Sequence, residues 1–249
     1  MGTREKAGAT EGRKRGRPRG RTEQGHETRQ RLYATALASI TARGYEATHL
    51  RDIAKEAGVS VGLLYRYFPS KRAIILALYD ELSSAYAARA ASLPAGPWRE
   101  RFLFALRTSL EVLGPHHQVL KALIPMLVGG EEDGLFAPQT AFSRLRVQAA
   151  FGEAVAGAPD APGSVPVAKA LGRLLYVAHL AVLMWWLLDK SPRQRATEGL
   201  VSLLSRVLLP ASLALRLPGA GGVVLGADVL CRQGLFGEPT QTDTDEVPR

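Results

Sequence analysis

The segment from Gly58 to Lys71, GVSVGLLYRYFPSK, sets two tyrosines and an arginine among leucines and a phenylalanine. Tyrosine hydroxyls and guanidinium groups donate hydrogen bonds to phosphate oxygens. Arginine also forks onto guanine, and apolar ring atoms can touch a thymine methyl. A buried helix would not hold Arg66 between Tyr65 and Tyr67, and a solvated one would not hold Leu63, Leu64 and Phe68. The segment is therefore two-sided: Leu64 and Phe68 pack inward, while Tyr65, Arg66 and Tyr67 are left to meet a polyanion. A helix fits the major groove of duplex DNA with its N-terminal end at the base edges, which assigns Ser60, Val61 and Gly62 to that position. Gly62 weakens a helix by roughly 1 kcal/mol against alanine but lets the backbone approach a surface closely. Lys71 falls in the first turn of the next helix, where a phosphate is favoured. Thr48 and Arg51, at the start of the preceding helix, are placed to clamp the opposite backbone.

Elements must hold these side chains. Leu32, Ala36 and Ile40 repeat at helical spacing, which predicts a first helix over His26–Arg43 ended by Gly44. Thr48 is the expected cap of a second helix, with Leu50, Ile53, Ala54 and Ala57 inward and Gly58 at its end. Ser60 caps a short third helix to about Tyr67. Pro69 breaks the chain, and Ser70 caps a fourth helix from Lys71 to about Ser92. Residues 48–67 thus read as a helix-turn-helix supported by the first helix. Further helices are expected over Trp98–Leu113, His116–Val128 with a break at Pro125, Leu135–Ala156, Val167–Lys190 and Arg193–Leu215. The fold class is all-α.

The charge distribution agrees with a basic head on a neutral body. The net charge is +9; residues 1–72 carry 16 Lys and Arg against 7 Asp and Glu, while residues 73–249 carry 16 of each. All of the surplus lies in the first 72 residues, which points to nucleic acid as the partner. The single cysteine, Cys231, excludes an internal disulfide framework and a cysteine metal cluster, and fits a reducing compartment. No signal peptide is readable, and the longest apolar run, Leu174–Leu188, is 15 residues against the roughly 20 that a membrane span needs. The expectation is a cytoplasmic protein without a membrane partner.

The stretch Thr28 to Ile74, with GYEAT at Gly44–Thr48 and IAKEAGVSVGLLYRYFPSK at Ile53–Lys71, resembles the DNA-binding domain of the TetR family of bacterial transcription regulators. It departs from the common pattern at Leu63, where threonine is frequent, and at Arg72, where glutamate is frequent. The resemblance implies a homodimer that binds a palindromic operator, with a DNA-binding head followed by a helical domain that dimerises and binds an effector. Four regions follow: a disordered basic arm over 1–24, a head over 25–72, an effector and dimerisation domain over 73–217, and an unassigned helix or tail over 218–249. Within the arm, Arg15, Arg17, Arg19 and Arg21 lie in a run that resembles an AT-hook, whose extended backbone fits a narrow A·T minor groove.

The second half carries the other expectations. Leu174–Leu188 is apolar nearly all round and must be covered on every side. Leu174, Leu175 and Val182 on it, with Leu200, Leu203, Leu204 and Val207 on the next helix, are expected to form an isologous four-helix interface with a second copy. Candidate effector contacts are His179, Tyr176, Trp185, Trp186, Met126, Phe142 and Gln148, which suit a small apolar or aromatic ligand. Enzymatic chemistry finds no constellation. His116 and His117 lack a further ligand at metal spacing, Glu131, Glu132 and Asp133 sit in a glycine loop, and GAGGVVLG follows no strand. No metal or cofactor is expected. The function that best fits is a ligand-responsive repressor. The alternative is an architectural or constitutive DNA binder, which would not prefer a selected palindrome over random DNA.

Overall fold

Two glycines set the geometry of the head. Gly44 and Gly58 adopt φ of +83° and +67°, a left-handed conformation that side-chain-bearing residues resist, and each ends a helix there. The computed structural model describes residues 19–129 and 134–237, with side chains from 23 onward. Eleven α-helices are described, and no strand occurs among the described residues. In the head, α1 spans Arg19–Arg43, α2 Leu50–Glu56 and α3 Val61–Tyr67, and α4 leads away over Lys71–Ala90. The Ser60 hydroxyl accepts from the Leu63 amide and the Ser70 hydroxyl from the Ala73 amide, so both expected caps form.

The body follows with α5 Trp98–Leu113, α6 His117–Ala122, α7 Ile124–Gly129, α8 Ala141–Ala156, α9 Val165–Leu188, α10 Arg195–Ala214 and α11 Ala220–Phe236. Several boundaries differ from expectation for local reasons. α1 begins seven residues before His26, so the arm's last residues are helical. Pro125 does not kink one helix; the chain breaks at Leu123 and Pro125 takes the first turn of α7, where its missing N–H costs nothing. α8 starts at Ala141, because Pro138–Thr140 forms a 3₁₀ turn held by the buried Thr140 hydroxyl, which donates to the carbonyl oxygens of Gly134 and Ala137. The corner between α9 and α10 puts Arg193 and Gln194 at φ of 54° and 58°. Such a conformation costs about 1 kcal/mol or more per non-glycine residue. Trp186 Nε1 donating to Gln194 Oε1, and Asp189 accepting from the Thr197 amide and hydroxyl, offset it.

Three apolar clusters hold the molecule together. Leu32, Ala36, Ile53, Leu64, Phe68 and Ile74 form the head core. Ile40 of α1 and Ile75, Leu78 and Leu82 of α4 then pack with Leu120, Leu123 and Met126, and with Trp186 of α9. Tyr86, Phe102, Phe151, Leu175, Tyr176 and Val182 centre the body core. Full burial of a leucine such as Leu64 contributes about 2 kcal/mol. α8 and α9 approach closely at glycines: a Cβ on Gly172 would stand 3.0 Å from Gly152 Cα. α9 is 24 residues long, and both it and Pro192–Ala214 are long and apolar enough to cross a membrane by length and composition. The expected 15-residue limit therefore understated the helix; α9 nevertheless runs through the body core, with Leu171, Leu175, Tyr176 and His179 buried inside it.

The region from residue 218, unassigned from the sequence, forms α11 and is fastened to α9. Arg173 Nε and Nη2 donate to the two carboxylate oxygens of Asp228 at 2.6 and 2.5 Å, and the Asp228 side chain is 4% exposed. Removing the carboxylate deprives the Arg173 guanidinium of this two-point contact. Asp228→Ala is expected to lower the unfolding free energy by about 3 kcal/mol, read as a reduced urea midpoint. A loss under about 0.5 kcal/mol would show that α11 docks by apolar contact alone.

Candidate nucleic-acid interface and internal cavity

α3 is held by its inner side. Leu64 and Phe68 are buried, and Tyr33 stacks on the Phe68 ring at 6.2 Å. The outer side carries Tyr65, 48% exposed, with Arg66 also exposed. At its start, Ser60 and Gly62 are exposed and Val61 is half-buried. A Cβ built at Gly62 meets nothing within 4 Å. The packing of the chain therefore does not require glycine there.

Arg51 on α2, Tyr65 on α3 and Lys71 on α4 line one shallow depression together with His49. With Thr48, which also borders it, four expected positions are thus brought together, and His49, Leu50 and Asp52 are additions. The exposure of His49 at the N-cap of α2 is a consequence of where that helix starts, one residue later than the sequence suggested. Three expectations need correction. Thr48 is fully buried, and its hydroxyl donates to the Gly44 carbonyl at 2.7 Å, so it closes the turn instead of capping α2 or reaching a phosphate. Lys71 Nζ donates to the Tyr45 carbonyl at 2.5 Å and sits 4.1 Å from the Tyr45 ring centroid. Its ammonium fastens α4 to the α1–α2 turn. Tyr67 is half-buried, because its hydroxyl lies against α1 at Gly25; only part of its ring remains outward. α2 is also tied to α1 by Glu56, which accepts from Ser39 and Arg43 at 2.7 and 2.9 Å. These hydrogen bonds hold its carboxyl below the usual range. Arg15 and Arg17 lie outside the described residues. Arg19 and Arg21 fall in the first turn of α1, and their side chains lie outside the described set.

A cavity of about 380 Å³ opens among α4, α5, α8, α9 and α11. Its wall is mostly apolar, with Leu82, Val147, Leu180, Met184 and Leu235 among its residues. Of the expected contacts, His179, Tyr176 and Trp186 line it. The other four do not. Trp185 is 50% exposed, Phe142 is 39% exposed beneath Arg146, and Met126 is buried in the cluster between head and body. Gln148 is half-buried on α8 away from the wall. Tyr79, Tyr86, Ser109 and Arg144 were not foreseen and do line it. His179 is 1% exposed, and its Nε2 lies 2.8 Å from the Ser109 hydroxyl. Burial lowers its pKa to about 3, so the ring is neutral at pH 7. Burial likewise pushes the Tyr86 and Tyr176 hydroxyls well above the usual tyrosine range.

The expected dimer surface is divided. Leu175 and Val182 are 6% and 5% exposed and belong to the body core, so they cannot also meet a second copy. Leu174, Leu200 and Leu204 are partly buried against the same core. Leu203 and Val207 stand outward at 57% and 51%, and the apolar stripe continues to Leu213 and Leu217.

Comparison with known proteins places this geometry. The sequence profile described as "Bacterial regulatory proteins, tetR family" matches residues 32–78. The chain is 51% identical over 45 residues to the HTH-type transcriptional repressor KstR of Mycolicibacterium smegmatis. That match covers 18% of this chain and 22% of KstR, so it spans about a fifth of the relative's length. Similarity to the HTH-type transcriptional regulator EthR of the same organism is broader: 29% identity over 203 residues, covering 77% of this chain and 90% of EthR. In shape, the chain is similar to a TetR transcriptional regulator from Nitrosomonas europaea, with a TM-score of 0.54, 22% identity, and coverage of 75% of this chain and 99% of that one. It is also similar to a tetR-family regulator from Streptomyces coelicolor, with a TM-score of 0.53, 22% identity, and coverage of 85% and 93%. The head matches the tetR family of bacterial regulatory proteins over residues 32–78, and the chain as a whole shares its fold with solved regulators of that description.

Proposed function

We propose that the protein is a transcriptional repressor that binds a palindromic operator as a homodimer and is released by a small, largely apolar effector. The observation that carries this reading is the path of α4. At its start, Lys71 is bonded to the Tyr45 carbonyl and Ile74 packs in the head core. Two to four turns later, Tyr79, Leu82, Ser83 and Tyr86 of the same helix form one side of the cavity. A ligand that displaces this side moves the end of the helix to which the head is attached. In a dimer, the two copies of α3 must match half-sites about 34 Å apart, so a small change in their separation lowers affinity. The ligand must prefer the form that does not fit DNA for this to act as a switch. KstR is named a transcriptional repressor, which supports the same sign of regulation here. The work of such a protein would be cytoplasmic, and no catalytic step is part of it.

The test is a titration of DNA selected by the purified protein, or of the DNA upstream of its own reading frame, with and without apolar ligands. A preference of about 10³-fold or more for the selected site over random DNA is expected, weakened by at least one ligand that fills the cavity. Equal affinity for both DNAs would defeat the reading. Arg66→Ala is expected to weaken the specific complex by about 1–3 kcal/mol. Its exposed position on α3 predicts a change in stability within about 0.5 kcal/mol. Thermal unfolding beside the DNA titration separates the two effects.

A further inference from the structure

The cavity wall is apolar apart from a few groups, yet two polar atoms buried on it have no hydrogen-bond partner among the described residues: the Tyr86 hydroxyl and His179 Nδ1. Their side chains are 2% and 1% exposed, and the rings stack with centroids 6.4 Å apart and planes inclined by 18°. Buried polar groups in folded proteins are nearly always paired, so two exceptions side by side on one cavity wall require an explanation. The partner must also suit both atoms. Ser109 anchors the far side of the imidazole through Nε2. If the serine hydroxyl donates, Nδ1 carries the proton, and Tyr86 and His179 each offer a donor to a carbonyl oxygen. If the serine accepts, Nδ1 is bare, and a ligand hydroxyl can accept from Tyr86 while donating to His179. Both arrangements accommodate a neutral oxygen.

Charged alternatives fit less well. Among the described residues no Asp or Glu lines the cavity, so none of them offers an ammonium group a counter-charge. A carboxylate has Arg144 on the wall, but that guanidinium is directed to the Leu135 and Ala137 carbonyls and lies 5.7 Å from the Phe236 ring centroid. The neutral imidazole adds no charge to hold an anion.

We propose that the cavity selects a ligand with one neutral oxygen, carbonyl or hydroxyl, on an apolar body, and that Tyr86 and His179 together bind that oxygen while Ser109 orients the imidazole. The inference rests on the reading of this cavity as the effector site and names the chemistry of the effector.

The test uses the purified full chain at pH 7.5 and probes of one length: decane, 2-decanone, 1-decanol, decanoate and decylammonium. Binding is measured by calorimetry on wild type and on Tyr86→Phe, which keeps the ring and removes only the hydroxyl. In wild type, 2-decanone and 1-decanol are expected to bind more tightly than either ion. The ratio of the decane to the 2-decanone dissociation constant is expected to fall about tenfold in Tyr86→Phe, the size of one neutral hydrogen bond. Comparing ratios cancels the different cost of taking each probe from water. An unchanged ratio, tighter binding of either ion, or binding of none of the five overturns the proposal. Ligand-induced release from the selected DNA is read separately. Ketone binding with the expected ratio but no release would leave the cavity chemistry standing and defeat the effector reading. Release by all probes alike would do the reverse.

Discussion

Lowering the pH from 7.5 to 4 is expected to remove about 3 kcal/mol of stability through one residue, His179. The argument is linkage. An unfolded histidine titrates near 6.5, whereas burial holds the folded imidazole at about 3. Between those values the unfolded chain binds a proton that the native protein refuses. Stability is therefore fully present above pH 6.5, and it falls as the pH drops from there toward 3. Each unit in that window is worth about 1.4 kcal/mol. Charging the ring would place a cation beside Tyr86, Phe151 and Tyr176, with no carboxylate among the described residues of the cavity wall to pair with it. Other groups also titrate in this range, so the useful quantity is a difference between variants. His179→Leu keeps an apolar side chain of similar reach and has nothing to protonate. Urea unfolding of both proteins at pH 7.5, 6, 5 and 4 should give curves that converge toward acid, with wild type losing about 3 kcal/mol more than the variant. Parallel curves would mean that the imidazole is hydrated or paired in the native protein.

The same residue shows what could be read before the fold was known. The head was legible because its information is local. Apolar spacing at Leu32, Ala36 and Ile40, a serine before α3 and another before α4, and glycines at the two left-handed positions each act within a few residues. Thr48 misled because its neighbours allow either a cap or a turn closure. Only the position of the Gly44 carbonyl decides between them. The body was less legible, because its information is relational. Trp185 and Trp186 are adjacent on a helix without a polar face, and nothing in the sequence says that one is 50% exposed and the other 3%. Leu175 and Val182 were assigned to a partner for the same reason: an all-apolar helix does not announce which side meets its own core. The cavity depends on where α4, α5, α8 and α9 leave a space, so Tyr86, Ser109 and Arg144 carry no local mark of their role. His179 was identifiable because an imidazole inside an apolar run is costly wherever the neighbours lie.

Putting a charge on the outward face of α10 is expected to abolish specific DNA binding from a distance. Leu203 and Val207 are one helical turn apart and more than half exposed, and Leu213 and Leu217 extend the stripe. An apolar stripe of this kind fits the dimer interface proposed above. It adjoins Leu200 and Leu204, which are partly buried against the core, so a second copy can dock beside the body. The double variant Leu203→Glu with Val207→Glu sets four carboxylates across a two-fold interface while touching no buried residue of the single chain. Light scattering should then report a mass near the 26.8 kDa of one chain. The urea midpoint at low protein concentration should be little changed, because surface substitutions move stability by about 0.5 kcal/mol or less. DNA binding should fall much further. In a dimer, the second α3 engages its half-site at an effective concentration set by the first, which raises overall affinity by about 10²–10⁴-fold. A monomer forfeits that factor although every residue of its own α3 is intact. A variant that stays dimeric and keeps its operator affinity would exclude this face, and Val223 and Leu230 on α11, 73% and 71% exposed, would become the next surface to charge. A variant that is monomeric yet binds as tightly as wild type would go further. It would show that one copy of α3 supplies the affinity alone, and a switch built on the separation of two heads could not operate.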